Sequence, residues 1–297
     1  MENEIAKLKK ACQECAYSLL GPKKSNDRDE ELVRTIIGIF VYAGYNASQV
    51  DAFTKDRKCG NLFDQDFLEK SGGNLCDLWK THSDLAKIAV KTSGAGLGTP
   101  NAAAGAGELF LLMSSQNNIK PKKGDLEFKN SKGKVERVEI KRGGKIGSKV
   151  PYRSVNKAVV KTLQDLGIVN FQIDSKSKEL VFLPGRSDFD HYMNMLSLDN
   201  RKLIWETWWN SQKLSSPLQE CLNYSWDEVK WLWIYEILRQ ELSPTEITAF
   251  LIIHADNRYS VWRKPEDAIG YFKEHEKDLS FEFRAFQLNP ASFYCPT

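Results

Sequence analysis

The sequence has no apolar run of the roughly 20 residues that a membrane-crossing helix needs, so no helical span is expected. Residues 1–7 are charged and lack the apolar core of a secretory leader. Six cysteines in 297 residues follow no small-scaffold spacing, which removes the disulfide-stapled class and fits a reducing, cytoplasmic setting. There is no internal repeat, no low-complexity tail, and no Ser, His and Asp set in a triad-like context. A global excess of one charge sign is missing too: 42 Lys or Arg stand against 39 Asp or Glu, a formal net charge of +3.

What is present is a globular composition, 41% hydrophobic, in a chain long enough for one large or two to three small domains. Three parts are read. Residues 1–93 are expected to be helical, with a strongly apolar segment at 36–42 and a helix over 75–90. Residues 94–185 read as a mixed core that ends at the Pro184-Gly185 break. Residues 186–297 read as mainly helical, and seven of the eight Trp lie between 205 and 262. Trp205, Trp208 and Trp209 recur at one-turn spacing, as do Trp226, Val229 and Trp233, which marks a packed helical core. Stacking on bases or on a partner is the alternative use of those rings. The expected fold class is α/β (α+β), a small mixed sheet flanked by N- and C-terminal helical regions.

Within the core, residues 101–115 read as a helix rich in Ala and Leu. In Asp125-Leu126-Glu127-Phe128 polar and apolar residues alternate, as a half-buried strand requires. Beyond a loop of residues 130–134, Val138 and Ile140 point one way, while Arg137, Glu139 and Lys141 point the other. Gly133 suits that loop to a longer hairpin turn. The register then sets Leu126 opposite Val138, Glu127 opposite Arg137, and Asp125 opposite Glu139. A slip of one residue would send a whole set to the wrong face. Residues 153–166 read as an amphipathic helix ended by Gly167, and 168–173 and 179–183 as strands.

Two opposed carboxylates repel unless a cation joins them. Magnesium takes one or two carboxylates, several waters and a substrate phosphate, with manganese as the alternative ion. A bound ion polarises the phosphate and acidifies a water, and a neighbouring ammonium steadies the developing charge. Lys141 shares a strand face with Glu139 and can supply that ammonium.

Gly-Asp-Leu-Glu at 124–127 followed by Val-Glu-Ile-Lys at 138–141 resembles the bipartite motif of PD-(D/E)xK nucleases, the restriction-endonuclease-like superfamily. The resemblance covers roughly residues 100–185. It implies Asp125 and Glu139 as metal ligands and Lys141 as the catalytic lysine. It also implies a metal-binding glutamate from the preceding helix, which Glu108 matches. Gly124 stands where the family name has Pro.

Charge is focused on the same stretch. Residues 117–161 hold fourteen Lys or Arg and four acids, an excess of +10, so the rest of the chain sums to −7. A polyanion is drawn to such a stretch through its phosphates. Lys122, Lys123, Arg142, Lys145, Lys149, Arg153 and Lys157 are the expected nucleic-acid contacts, and Gly143, Gly144 and Gly147 let a loop backbone approach closely.

Other signals carry less. Cys12, Cys15, Cys59 and Cys76 offer zinc-ligand types without a knuckle-like spacing, so buried thiols are expected and zinc stays open. The Gly94-Ala95-Gly96-Leu97-Gly98 run follows a helix, where a dinucleotide loop follows a strand. Asp188, Asp190 and His191, and His254 and Asp256, read as turn or surface residues. The expected function is a magnesium-dependent endonuclease hydrolysing DNA, restriction-type in setting, with a homodimer admitted and no membrane partner. The alternatives are a non-catalytic nucleic-acid-binding protein with the same fold, or a helical scaffold protein.

Overall fold

The computed structural model describes residues 2–20, 27–94, 107–114, 124–142, 145–147, 161–162, 165–166, 171–173, 180–182, 196–214, 218–242, 246–283 and 290–294. In chain order the elements are α1 (Glu2–Leu20), α2 (Asp27–Tyr42), α3 (Ala47–Lys58), α4 (Ser83–Gly94), α5 (Glu108–Ser114), β1 (Leu126–Lys129) and β2 (Val135–Lys141). There follow β3 (Lys145–Gly147), β4 (Phe171–Ile173), β5 (Leu180–Phe182), α6 (Leu198–Ser211) and α7 (Trp226–Glu241). The chain ends with β6 (Ala249–Ile253), β7 (Tyr259–Trp262), α8 (Pro265–Glu274), β8 (Ser280–Phe283) and β9 (Pro290–Tyr294). The class is α+β, as expected. Among the described residues no helix is long and apolar enough to cross a membrane.

The chain forms two compact units that interleave in sequence: residues 1–143 with 242–263 and 297, and residues 144–241 with 264–296. These limits differ from the boundaries expected at 93/94 and 185/186. The reason is a pairing between distant segments. The first unit's sheet runs β1-β2-β6-β7, with β1 antiparallel and β6 parallel to β2. Ala249-Phe250-Leu251-Ile252-Ile253 is buried at every position, the pattern of an interior strand covered on both faces. The region expected to be mainly helical therefore contributes two strands to the sheet that carries the acids. The strands expected at 168–173 and 179–183 do form, as β4 and β5, but pair only with each other in a sheet within the second unit. Of the helix expected over 153–166, residues 153–160 and 163–164 lie outside the described residues.

The first unit's core gathers α1 to α5 and one sheet face, including Phe40, Phe53, Trp79, Phe110, Val138, Leu251 and Ile253. Glu136 on β2 is buried, and Arg263 and Thr248 both bond its carboxylate, tying β2 to β7's end and β6's start. Lys134 adds a third contact at 3.1 Å. Burial by itself would raise the Glu136 carboxyl; the bonds from Arg263, Thr248 and Lys134 outweigh it and hold the group below the ordinary glutamate value.

In the second unit five tryptophans are core, and Trp231 is half-buried under Lys230 and Lys273. Trp205, Trp208, Trp226 and Trp233 are buried, and Trp233 touches the rings of Trp208, Trp226, Phe281 and Phe293. The indole N–H of Trp205 donates to the Tyr224 carbonyl at 2.8 Å. Strands β3, β9 and β8 form an antiparallel sheet in that order.

Candidate active site

The hairpin closes as its sequence dictates. Asn130 accepts two backbone N–H groups, from Lys132 at 3.1 Å and Lys134 at 2.9 Å, through its side-chain oxygen. Gly133 adopts φ +75°, in the left-handed region that glycine enters freely. The strands pair Leu126 with Val138 and Glu127 with Arg137, the expected register. Arg137 Nε donates to Glu127 Oε2 at 2.7 Å. Along β2, Glu136, Val138 and Ile140 are buried, while Arg137, Glu139 and Lys141 are half-buried.

Asp125 stands just before β1 and brackets Glu139 with two contacts. Its N–H donates to the Val138 carbonyl at 2.9 Å, and its Oδ2 accepts the Ile140 N–H at 2.8 Å. The side chain thus extends the ladder where the strand backbone turns away. That turn needs Gly124, at φ +85°, where an added Cβ would stand 3.1 Å from the Val138 carbonyl oxygen. Proline holds φ near −65°, so the family's proline does not fit this backbone.

Glu139 Oε1 accepts a bond from Lys141 Nζ at 2.5 Å, and both side chains are 21% exposed. Their register partners on β6 are Phe250 and Ile252, both buried. These two apolar residues stand beside Glu139 and Lys141 on the neighbouring strand. Sequence reasoning missed them, although the unbroken apolar run at 249–253 signals a buried strand.

Glu108 opens α5, and its side chain lies outside the described residues. The backbone next to it is closely placed. Gly107 has φ +85°, and a Cβ there would meet Ile253 Cδ1 at 2.0 Å and Ile140 Cγ2 at 3.6 Å. The start of α5 therefore sits on the buried Ile140 face of the sheet, opposite the face that carries Glu139 and Lys141.

The basic residues are described less fully. Lys122, Lys123, Lys149, Arg153 and Lys157 lie outside the described residues, and Lys145 is described only as backbone in β3. Arg142 follows β2, half-buried, with Nη1 buried and lacking a hydrogen-bond partner among the described residues. Asp188, Asp190 and His191 also lie outside; His254 Nε2 bonds Ser260 Oγ at 2.9 Å and the Asp256 side chain accepts the Arg258 N–H. Cys12 and Cys15 are buried in α1 as free thiols, Cys59 is exposed and Cys76 half-buried. Burial, then the neighbouring Cys15, pushes the Cys12 thiol up to about 11.

Among the described residues no group of three or more His, Cys, Asp or Glu is placed to hold an ion. Carboxylate oxygens are the donors that a hard cation takes. Asp125 Oδ1 and Glu139 Oε2 carry no hydrogen bond among the described residues, so each acid keeps an oxygen to offer. Comparison with family models, curated proteins and solved structures found no match.

Proposed function

We propose that the protein is a metal-dependent endonuclease of the PD-(D/E)xK kind that hydrolyses DNA phosphodiester bonds. The observation that carries this reading is the bracketing of Glu139 by Asp125 at the end of the β1–β2 hairpin, with Lys141 bonded to the same glutamate. Asp125 and Glu139 would hold magnesium through their remaining oxygens, with Glu108 as the third acid. When bound, the ion supplies polarisation of the phosphate and a more acidic water. Lys141 keeps its ammonium beside Glu139, where it neutralises the acid before substrate arrives and orients the attacking water afterwards. Phe250 and Ile252, buried on the neighbouring strand, flank the pair with apolar surface. The +10 stretch at 117–161 draws the polyanion, and its Lys and Arg meet the backbone phosphates. A restriction-type role is the favoured setting.

The test is incubation of purified protein with plasmid, linear duplex, single-stranded and branched DNA, with magnesium and with chelator. Cutting is expected with magnesium alone, lost in Glu139→Ala and Lys141→Ala while DNA binding persists. Tight binding without cleavage across metals and substrates would replace this reading by a DNA-binding module. Neither binding nor cleavage would favour a scaffold.

A further inference from the structure

In the four-stranded sheet β2 and β6 run parallel, so their carboxyl ends emerge at the same edge. Sheets with parallel strands bind ligands outside that edge. Lys141 closes β2 there, and His254 directly follows β6. The His254 N–H donates to the Arg258 carbonyl at 2.8 Å, and its own carbonyl accepts the Asn257 N–H at 3.0 Å, so its backbone is fixed in the β6–β7 turn.

The face that its ring takes follows from the pairing. Lys141 stands beside Ile252, and Ile252 stands beside Ser260 of β7. Residues paired across strands point to one face of a sheet, so Lys141, Ile252 and Ser260 share theirs. His254 Nε2 bonds Ser260 Oγ at 2.9 Å, which puts the imidazole on that face too. Along β6 this face passes from buried Phe250 and Ile252 to half-buried His254. Strands lie about 4.8 Å apart and rise about 3.3 Å per residue. His254 is one strand across from Lys141 and two residues further along, so their α-carbons lie about 8 Å apart. From Phe250, the neighbour of Glu139, it is four residues away, about 13 Å along the strand. That is too far for an imidazole to ligate an ion held by Glu139.

We infer that His254 is a substrate-binding residue that donates to a phosphate oxygen of the DNA strand at this edge, with Ser260 setting its ring; the inference rests on the nuclease reading above. The ammonium of Lys141 is bonded to Glu139, back along β2, so an imidazole beyond Lys141 meets the neighbouring phosphate of the chain and not the one being cut. A serine hydroxyl both donates and accepts. With the Ser260 hydroxyl donating to Nε2, Nδ1 carries the ring proton and is the atom that meets the phosphate.

The experiment is steady-state cleavage of a short DNA duplex by the full chain with magnesium, alongside calorimetric titration with manganese in the absence of DNA and a thermal melt. The proteins compared are wild type, His254→Ala, His254→Gln and Ser260→Ala. His254→Ala is expected to raise KM about tenfold, the loss of one hydrogen bond to a charged oxygen, with a smaller change in kcat. His254→Gln keeps a donor and should recover most of that loss. Ser260→Ala should raise KM on the order of threefold. Manganese binding should be the same in all four. Wild type that cuts no DNA would sink the nuclease reading and this inference with it. Wild type that cuts, with an unchanged KM in folded His254→Ala, would overturn this inference alone. Manganese binding lost in His254→Ala would do the same, by making the imidazole an ion ligand. If His254→Ala melts below the assay temperature, an unchanged KM in both His254→Gln and Ser260→Ala supports the retained donor only for the first, so Ser260→Ala decides and its unchanged KM overturns the inference.

Discussion

Replacing Gly107 by alanine measures how closely α5 sits on the sheet. The new Cβ would stand 2.0 Å from Ile253 Cδ1. Carbon atoms rest about 3.5–4.0 Å apart, so the overlap is about 1.5 Å or more. Ile253 is 0% exposed, so its terminal methyl can yield only by displacing its core neighbours. Overpacking of this kind costs about 1–3 kcal/mol. The backbone adds its own cost, because φ at Gly107 is +85° and an L side chain there loses about 1–2 kcal/mol. Reduced entropy of the unfolded chain returns about 0.4–1 kcal/mol. The sum for Gly107→Ala is about 1–5 kcal/mol. Ile253→Val removes the clashing Cδ1 and alone costs about 0.5–1.5 kcal/mol. The two should then couple: the double variant should be more stable than the sum of single losses predicts, by about 1–3 kcal/mol. Urea unfolding of the four proteins, read by linear extrapolation, gives the cycle. Losses that add within about 0.5 kcal/mol would mean that the close approach is not what excludes a side chain.

Three further outcomes are expected. Asp125→Asn keeps an oxygen for the Ile140 N–H and should leave stability nearly unchanged while abolishing manganese uptake; Asp125→Ala should lose both, with about 1–2 kcal/mol of stability measured in urea. The Glu136 carboxyl is held below its ordinary 4.5 in the fold, so its contribution is full above that pH and fades as pH falls through the lower folded value. Urea midpoints across pH 2–6 should therefore fall less steeply in Glu136→Gln than in wild type; parallel profiles would refute this. Trp233→Ala, at 0% exposure among four aromatic rings, should cost about 3–5 kcal/mol in the second unit, and a loss under about 1 kcal/mol would contradict its place in the core.

Much of the candidate site was legible because it is local. A five-residue loop joins β1 to β2, so alternation on either side left one register that buried Leu126 with Val138. The same register put Asp125 against the Val138–Ile140 stretch. The one-turn spacing of Trp205, Trp208 and Trp209 read as core for the same reason, since helical period is a local property. Gly124 stands where the resemblance has proline, and its φ of +85° shows that the backbone there excludes proline.

The sequence by itself determined the hairpin and its register, which set Asp125 against the Val138 and Ile140 backbone, because turn length and period-2 patterning act over a few residues. Only the tertiary structure decided that β6 lies beside β2, that the second unit interrupts the first, and that Trp79 meets Ser114. An apolar strand such as Ala249–Ile253 can pair with any edge offering the right backbone groups. Which edge wins is a competition between segments a hundred residues apart, settled by the burial that each arrangement achieves across the whole unit.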